Sequence, residues 1–163
     1  MQVCRDPRWG RCYESFGERP ELVQNMTSIV SGFQGEIPAG GRKGAPFVAG
    51  QRNVAACAKH YVGDGGTAGG INANDTVATF HELLAVHMPP YYNAVIRGVS
   101  TVMVSYSSWN GVKMHDDRFL ITDFLKKQHR FRVGLRCAIE FSHKKHANLN
   151  FKTIFACLHF RVL

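Results

Sequence analysis

At 163 residues the chain can hold one domain with a buried core, and 45% hydrophobic with 20% charged residues suits a globular protein. The formal charge of +8 suggests a polyanion partner until it is located: residues 1–125 balance, and the whole excess lies in residues 126–163, where Glu140 is the only acid. The longest apolar runs fall short of the roughly eighteen residues a spanning helix needs, the opening MQVCRDPRWGR lacks a signal-peptide core, and the five cysteines show neither C-x-x-C nor a nearby His pair, so neither a membrane partner nor a metal or other cofactor is expected.

In chain order, Met1–Cys4 reads as the stump of a strand. The loop Arg5–Arg11 follows, dense in guanidinium groups around Trp9 and shaped by Pro7 and Gly10. Arg11 can fork onto a substrate hydroxyl or carboxylate, or form a structural pair with Glu14 or Glu18. Cys4 and Cys12 bracket this loop and can close a disulfide in an oxidising compartment. The sequons at Asn25 and Asn74 point weakly to the same compartment. Pro20 opens a helix whose apolar face is expected to comprise Leu22, Val23, Met26, Ile29, Val30 and Phe33. Residues 36–52 are a Gly- and Pro-rich surface loop.

The most informative stretch is VAACAKHYVGDGGT, residues 54–67. A short apolar run over Val54–Ala58 reads as a buried strand. It delivers Lys59 and His60 to its carboxyl end, where parallel α/β sheets bind ligands. The alternative is a surface lysine beside a core histidine. Pro89-Pro90 start a further helix with Tyr91, Tyr92, Val95 and Ile96 inward. VSTVMVSY, residues 99–106, is the clearest strand, and a last helix is capped by Asp116 or Asp117 with Leu120, Ile121, Phe124 and Leu125 buried. Strand, helix, strand, helix implies βαβ units and a parallel sheet. Beyond Arg132 no clean period remains.

The phrases VCRDPRWGRCYESFGE, VAACAKHYVGDGGT, HMPPYYNAVIRGVSTVMVSYSSWNG and KMHDDRFLITDFLK, in this order and spacing, resemble the glycoside hydrolases of family 3, plant β-glucosidase and exo-β-glucanase type. The resemblance covers residues 1–132 and implies an α/β fold, part of a (β/α)8 TIM-type barrel and incomplete, with residues 133–163 as an unrelated basic tail. It implies that Arg11, Lys59 and His60 hold the hydroxyls of a terminal glucosyl unit of a β-glucan or β-glucoside, with Met103 and Tyr106 lining the same subsite. On one regular strand positions 103 and 106 would face opposite sides, so both line one pocket only if the strand ends near Ser105. An extracellular or cell-wall location follows from the same resemblance.

The family's retaining mechanism needs two carboxylates. Its nucleophile is the Asp of a G-F-V-I-S-D-W strand; here the ungapped alignment puts Ala138 at that place, and the acid/base Glu belongs to a second domain. The chain alone is therefore expected to be a β-glucosidase fragment without activity. Two other readings stand beside this one: a non-catalytic glucoside-binding module, and a binder of anionic polymers through the basic tail. No nucleic-acid motif is present, GDGG lacks phosphate-loop spacing, and the oligomeric state stays open.

Overall fold

In the computed structural model, residues 1–131 and the backbone of a strand at Arg136–Cys137 are described; Ala138 and the rest of the expected tail lie outside the described residues. The first helical rod begins at Pro20, a residue pre-set for a first turn. It runs through α1 (Pro20–Asn25), a 3-10 turn at Met26–Ser28, and α2 (Ile29–Gln34). Its buried side is Val23, Thr27, Val30 and Gln34, spaced at one helical face. The expected face was broader: Leu22, Met26, Ile29 and Phe33 are 37–47% exposed and form a parallel stripe on the neighbouring flank. Both stripes have helical period, so periodicity by itself does not choose between them.

Gln34 decides where the following strand begins. Fully buried, it donates from Nε2 to the carbonyls of Phe47 and Gly98, both at 2.7 Å, and accepts at Oε1 from the amides of Ala56 and Ser100, both at 2.9 Å. Val54 likewise donates its amide to the Phe33 carbonyl. The segment read from sequence as the strand is thus bound to the end of α2, and β1 forms at Cys57–Tyr61 instead, three residues later than expected.

After β1 come β2 (Asp75–Thr76), α3 (Phe80–Glu82), a π-type turn at Leu83–His87, and α4 (Pro89–Ile96). Thr79 and Glu82 cap α3 reciprocally, satisfying two otherwise orphaned amides. In α4, Tyr91 and Val95 are buried as expected, but Ile96 is exposed and Tyr92 only half-buried. The chain then forms β3 (Thr101–Val104), the hairpin β4 (Ser108–Trp109) and β5 (Val112–Lys113), α5 (Phe119–Gln128) with π-type turns, and β6 (Arg136–Cys137). Asp117 caps α5 by accepting from the Leu120 amide at 2.8 Å.

Two small sheets result. In one, β1, β3 and β6 lie side by side and all pair in parallel, with α4 and α5 as crossovers. The other joins β2 in parallel to β4 and closes the β4–β5 hairpin across Asn110 and Gly111, both at positive φ as a tight hairpin turn requires. This second sheet was not anticipated. The core lies between the parallel sheet and the helices: Ala58, Val102 and Val104 from the strands, Leu83, Met88, Tyr91 and Val95 from the first crossover, and Leu120, Phe124 and Leu125 from the second. Tyr61 ties sheet to helix, edge-on to Tyr91 at 5.1 Å and donating its hydroxyl to the Leu120 carbonyl. Among the described residues no helix is long and apolar enough to cross a membrane.

Candidate functional site

The carboxyl end of β1 collects the charged side chains. Met1–Arg5 runs alongside it, the Met1 nitrogen donating to the Lys59 carbonyl at 2.8 Å and the Arg5 amide to the Gly65 carbonyl at 2.8 Å. The strand stump expected at Met1–Cys4 does not form as a strand; the segment lies beside β1 without a ladder. It leads into the Arg11 loop, which is fixed in three ways. Cys4 and Cys12 are disulfide-bonded with Cα atoms 5.4 Å apart; the Asp6 carboxylate accepts from the Arg8 amide and guanidinium; and Gly10 turns the chain at φ 73°.

From this loop Arg11 reaches inward over the buried Trp9 ring, 5.5 Å from its centroid. It forks onto Glu14 (Nε to Oε1 2.9 Å, Nη2 to Oε2 3.1 Å). Its Nη1 lies 3.6 Å from Asp64 Oδ2 and donates to Asn72 Oδ1 at 3.3 Å, and Nη2 lies 3.4 Å from His60 Nε2. Lys59 Nζ stands 3.7 Å from Glu14 Oε2, and His60 Nδ1 3.1 Å from Asp64 Oδ2. Adjacent strand residues face opposite sides, yet Lys59 and His60 both reach this cluster. The pairing of β1 with β3 shifts register between Ala58 and Tyr61, where such alternation breaks.

Arg11, Lys59 and His60, the three polar residues singled out in the sequence, are therefore brought together. The structural pairing of Arg11 with Glu14 is realised, at the carboxyl end of β1. Met103 lies half-buried on β3, and Tyr106 lies beyond the strand's end at Val104, 55% exposed, so strand parity does not constrain it. Tyr106 stacks near His115 and under Lys113, whose Nζ is 5.4 Å from the ring. Sequence reasoning missed Gln2, Asn72 and the pairing role of Asp64. Of these, only the i, i+4 spacing of His60 and Asp64 left a trace.

The electrostatics are those of a compensated cluster. Burial pushes the Glu14 carboxyl upward, but hydrogen bonds and charge from Arg11, with Lys59 and His60 adding to them, outweigh this and hold it below the usual range. Burial likewise opposes the Arg11 charge, and Glu14 and Asp64 more than restore it. Two cations and two carboxylates cancel. Among the described residues no group of three or more His, Cys, Asp or Glu is placed to hold a metal ion.

Residues 1–135 match the model of the glycosyl hydrolase family 3 N terminal domain. A periplasmic β-glucosidase of Salmonella typhimurium is 32% identical over 81% of this chain and 16% of its own length. β-D-xylosidase 1 of Arabidopsis thaliana is 33% identical over 80% of this chain and again 16% of its own. Among solved structures, the exo-1,3/1,4-β-glucanase of a Pseudoalteromonas species aligns with a TM-score of 0.76 and 40% identity, covering 84% of this chain and 16% of that one. A Listeria innocua β-glucosidase in complex with glucose aligns at 0.75 with 28% identity, over 84% and 18%. The chain thus spans about a sixth of the curated relatives it matches.

Proposed function

The chain belongs to the glycosyl hydrolase family 3 N terminal domains, and on that premise we propose that residues 1–132 are part of the glucoside-recognition wall of a retaining β-glucosidase or exo-β-glucanase. Arg11, Lys59 and His60 bind sugar hydroxyls there, with Met103 and Tyr106 at the rim. The carrying observation is the charge balance of the cluster: Arg11 and Lys59 offer several donors, while Glu14 and Asp64 cancel their charge. A net-neutral set of donors and acceptors suits an uncharged polyol; a phosphate or carboxylate ligand would call for uncompensated cations. The parallel order β1-β3-β6 supports a barrel wall, with these side chains at its ligand-binding end. The Cys4–Cys12 disulfide and the periplasmic relative support an extracytoplasmic setting.

The same geometry argues against turnover by these 163 residues alone. Glu14 and Asp64 are both engaged by Arg11, and Glu14 is held below the usual carboxylate range, not as the protonated acid that leaving-group departure needs. The family's nucleophile position aligns with Ala138, which cannot form a glycosyl-enzyme. The test is titration of the full chain with glucose and laminaribiose, followed by NMR, alongside an assay on 4-nitrophenyl β-glucoside. Saturable shifts lost in Lys59→Ala, with no hydrolysis, are the expected outcome. Absence of any sugar-dependent shift defeats the recognition reading, and hydrolysis abolished by Lys59→Ala or His60→Ala defeats the inactivity.

A further inference from the structure

Three contacts around His60 do not fit together with the ring in either tautomer unless one side chain is turned. The ring is 8% exposed, and its Nδ1 faces Asp64 Oδ2 at 3.1 Å and Gln2 Nε2 at 2.9 Å, while Nε2 faces Arg11 Nη2 at 3.4 Å. If the proton sat on Nε2, it would point at a guanidinium, which can only donate. The bare Nδ1 lone pair would then face a carboxylate. The Gln2 amide would donate to Nδ1, and its Oε1, buried and without a hydrogen-bond partner, would stay unsatisfied.

With the proton on Nδ1 and the Gln2 amide reversed, both conflicts at the ring nitrogens disappear, and the Gln2 oxygen is brought to the ring while its NH2 takes the other buried position. Nδ1–H donates to Asp64 Oδ2 with Gln2 Oε1 as a second, sharing acceptor, and Nε2 accepts from Arg11. Amide oxygen and nitrogen are interchangeable in shape, so the reversal moves no heavy atom. We propose that Asp64, supported by Gln2, is a positioning residue that holds His60 as the neutral Nδ1–H tautomer, leaving the Nε2 lone pair directed to the ligand side beside Arg11.

The consequence is a selection rule, and it rests on the glucoside-binding reading above. Arg11 and Lys59 only donate, whereas His60 Nε2, held this way, only accepts. A hydroxyl satisfies both at once, its oxygen taking a hydrogen bond from a cation and its proton going to Nε2. An ether or carbonyl oxygen satisfies only the donors and offers no proton to Nε2, which then keeps only its long 3.4 Å contact with Arg11. Deoxy sugars lacking that hydroxyl are discriminated against because they forgo its simultaneous bonds to a cation and to Nε2. Asp64 is buried at 3% exposure in the turn that follows Gly63, so its carboxylate is aimed by backbone rather than by a flexible stem.

The experiment is nitrogen-15 and proton NMR of the imidazole in the full chain, at mildly alkaline pH where histidine is neutral. Wild type is expected to show His60 protonated on Nδ1, and Asp64→Ala to lose that preference with at least roughly tenfold weaker glucose binding. Asp64→Asn, which keeps an acceptor of the same shape, is expected to retain the tautomer with the Nδ1 proton resonance moved upfield, since its acceptor has lost its charge. An Nε2-protonated ring in wild type overturns the proposal, as does an Asp64→Ala ring still protonated on Nδ1. If Asp64→Ala does not fold, an unmoved resonance in Asp64→Asn overturns it equally. An Nδ1–H ring that no sugar perturbs would instead overturn the glucoside reading while supporting the tautomer assignment.

Discussion

Lowering the pH should unfasten the structure at His87 before it reaches the carboxylates. His87 ends the π-type turn before α4, is 7% exposed, and lies so close to the glycine loop that a Cβ on Gly66 would meet its ring. Burial lowers its pKa from an ordinary 6.5 to about 4, and the nearby Arg5 charge acts in the same direction. Between those values the unfolded chain binds a proton that the folded chain refuses, so stability falls as pH falls through this window and is fully present above it. At about 1.4 kcal/mol per pKa unit the complete loss is about 3 kcal/mol, of which about 2 kcal/mol is gone near pH 5. Urea unfolding of wild type and His87→Gln over the weakly acidic range isolates the effect. The absolute stabilities of the two differ for packing reasons, but wild type should lose about 2 kcal/mol more than the variant on going from neutral pH to near pH 5. Glu14, also depressed, adds an acid loss only below the ordinary carboxylate range and equally in both proteins. Parallel curves down to about pH 5 would refute the assignment of a buried neutral imidazole.

Reducing the Cys4–Cys12 bridge, which closes a loop of eight residues' separation, should cost about 2–3 kcal/mol and loosen the Arg11 loop; denaturant midpoints with and without reductant, compared with Cys12→Ser, measure it. Asp117→Ala removes the cap on the Leu120 amide and should cost about 1 kcal/mol, whereas Asp116→Ala, on a carboxylate 78% exposed, should cost little. Gly65→Ala places a methyl against the Val3 carbonyl, which is backbone and cannot swing aside, so the variant should be destabilised by roughly 2 kcal/mol or more and lose the docking of Met1–Arg5 as judged by amide exchange.

Much of the architecture was legible because local chemistry and tertiary demand agree over most of the chain. Pro20 and Pro89 stand at helix starts, Asp117 caps α5, and the β-branched run of β3 occupies a buried parallel strand. The failures have one cause each. The strand start was misplaced because Gln34, a polar residue spaced one helical face from Val30, captures the amides of Ala56 and Ser100; an apolar run says nothing about a side chain 22 residues away that takes its hydrogen bonds. The two flanks of the first rod could not be ranked because both repeat at about 3.6 residues, and the buried one turns out to be the more polar, carrying Thr27 and Gln34. The second sheet was overlooked although Asn110-Gly111 is a strong hairpin signal, since its strands are two residues long and leave no alternation to read.

Lys59 and His60 were easier to read than the side chains that restrain them, and the reason is geometric. Lys59 and His60 are consecutive on one strand and next to a glycine loop, so a single local rule about strand ends points at both. Their partners come partly from elsewhere in the chain: Glu14 from a turn held by the Cys4–Cys12 disulfide, and Gln2 from a segment docked by Met1 to the Lys59 carbonyl and Arg5 to the Gly65 carbonyl, with Asp64 four residues past His60. The Glu14 and Gln2 contacts depend on the loop 1–17 lying against residues 59–66, a juxtaposition that no spacing encodes, whereas His60 and Asp64 meet at i, i+4. Yet these partners set the chemistry. Arg11 and Lys59 without Glu14 and Asp64 would make an anion site; with them, the cluster offers donors without net charge. On the proposed reading, discrimination between a sugar and a phosphate would rest on these two carboxylates, and substitutions at Glu14 or Asp64 should shift ligand preference toward anions even though neither carboxylate need touch the ligand.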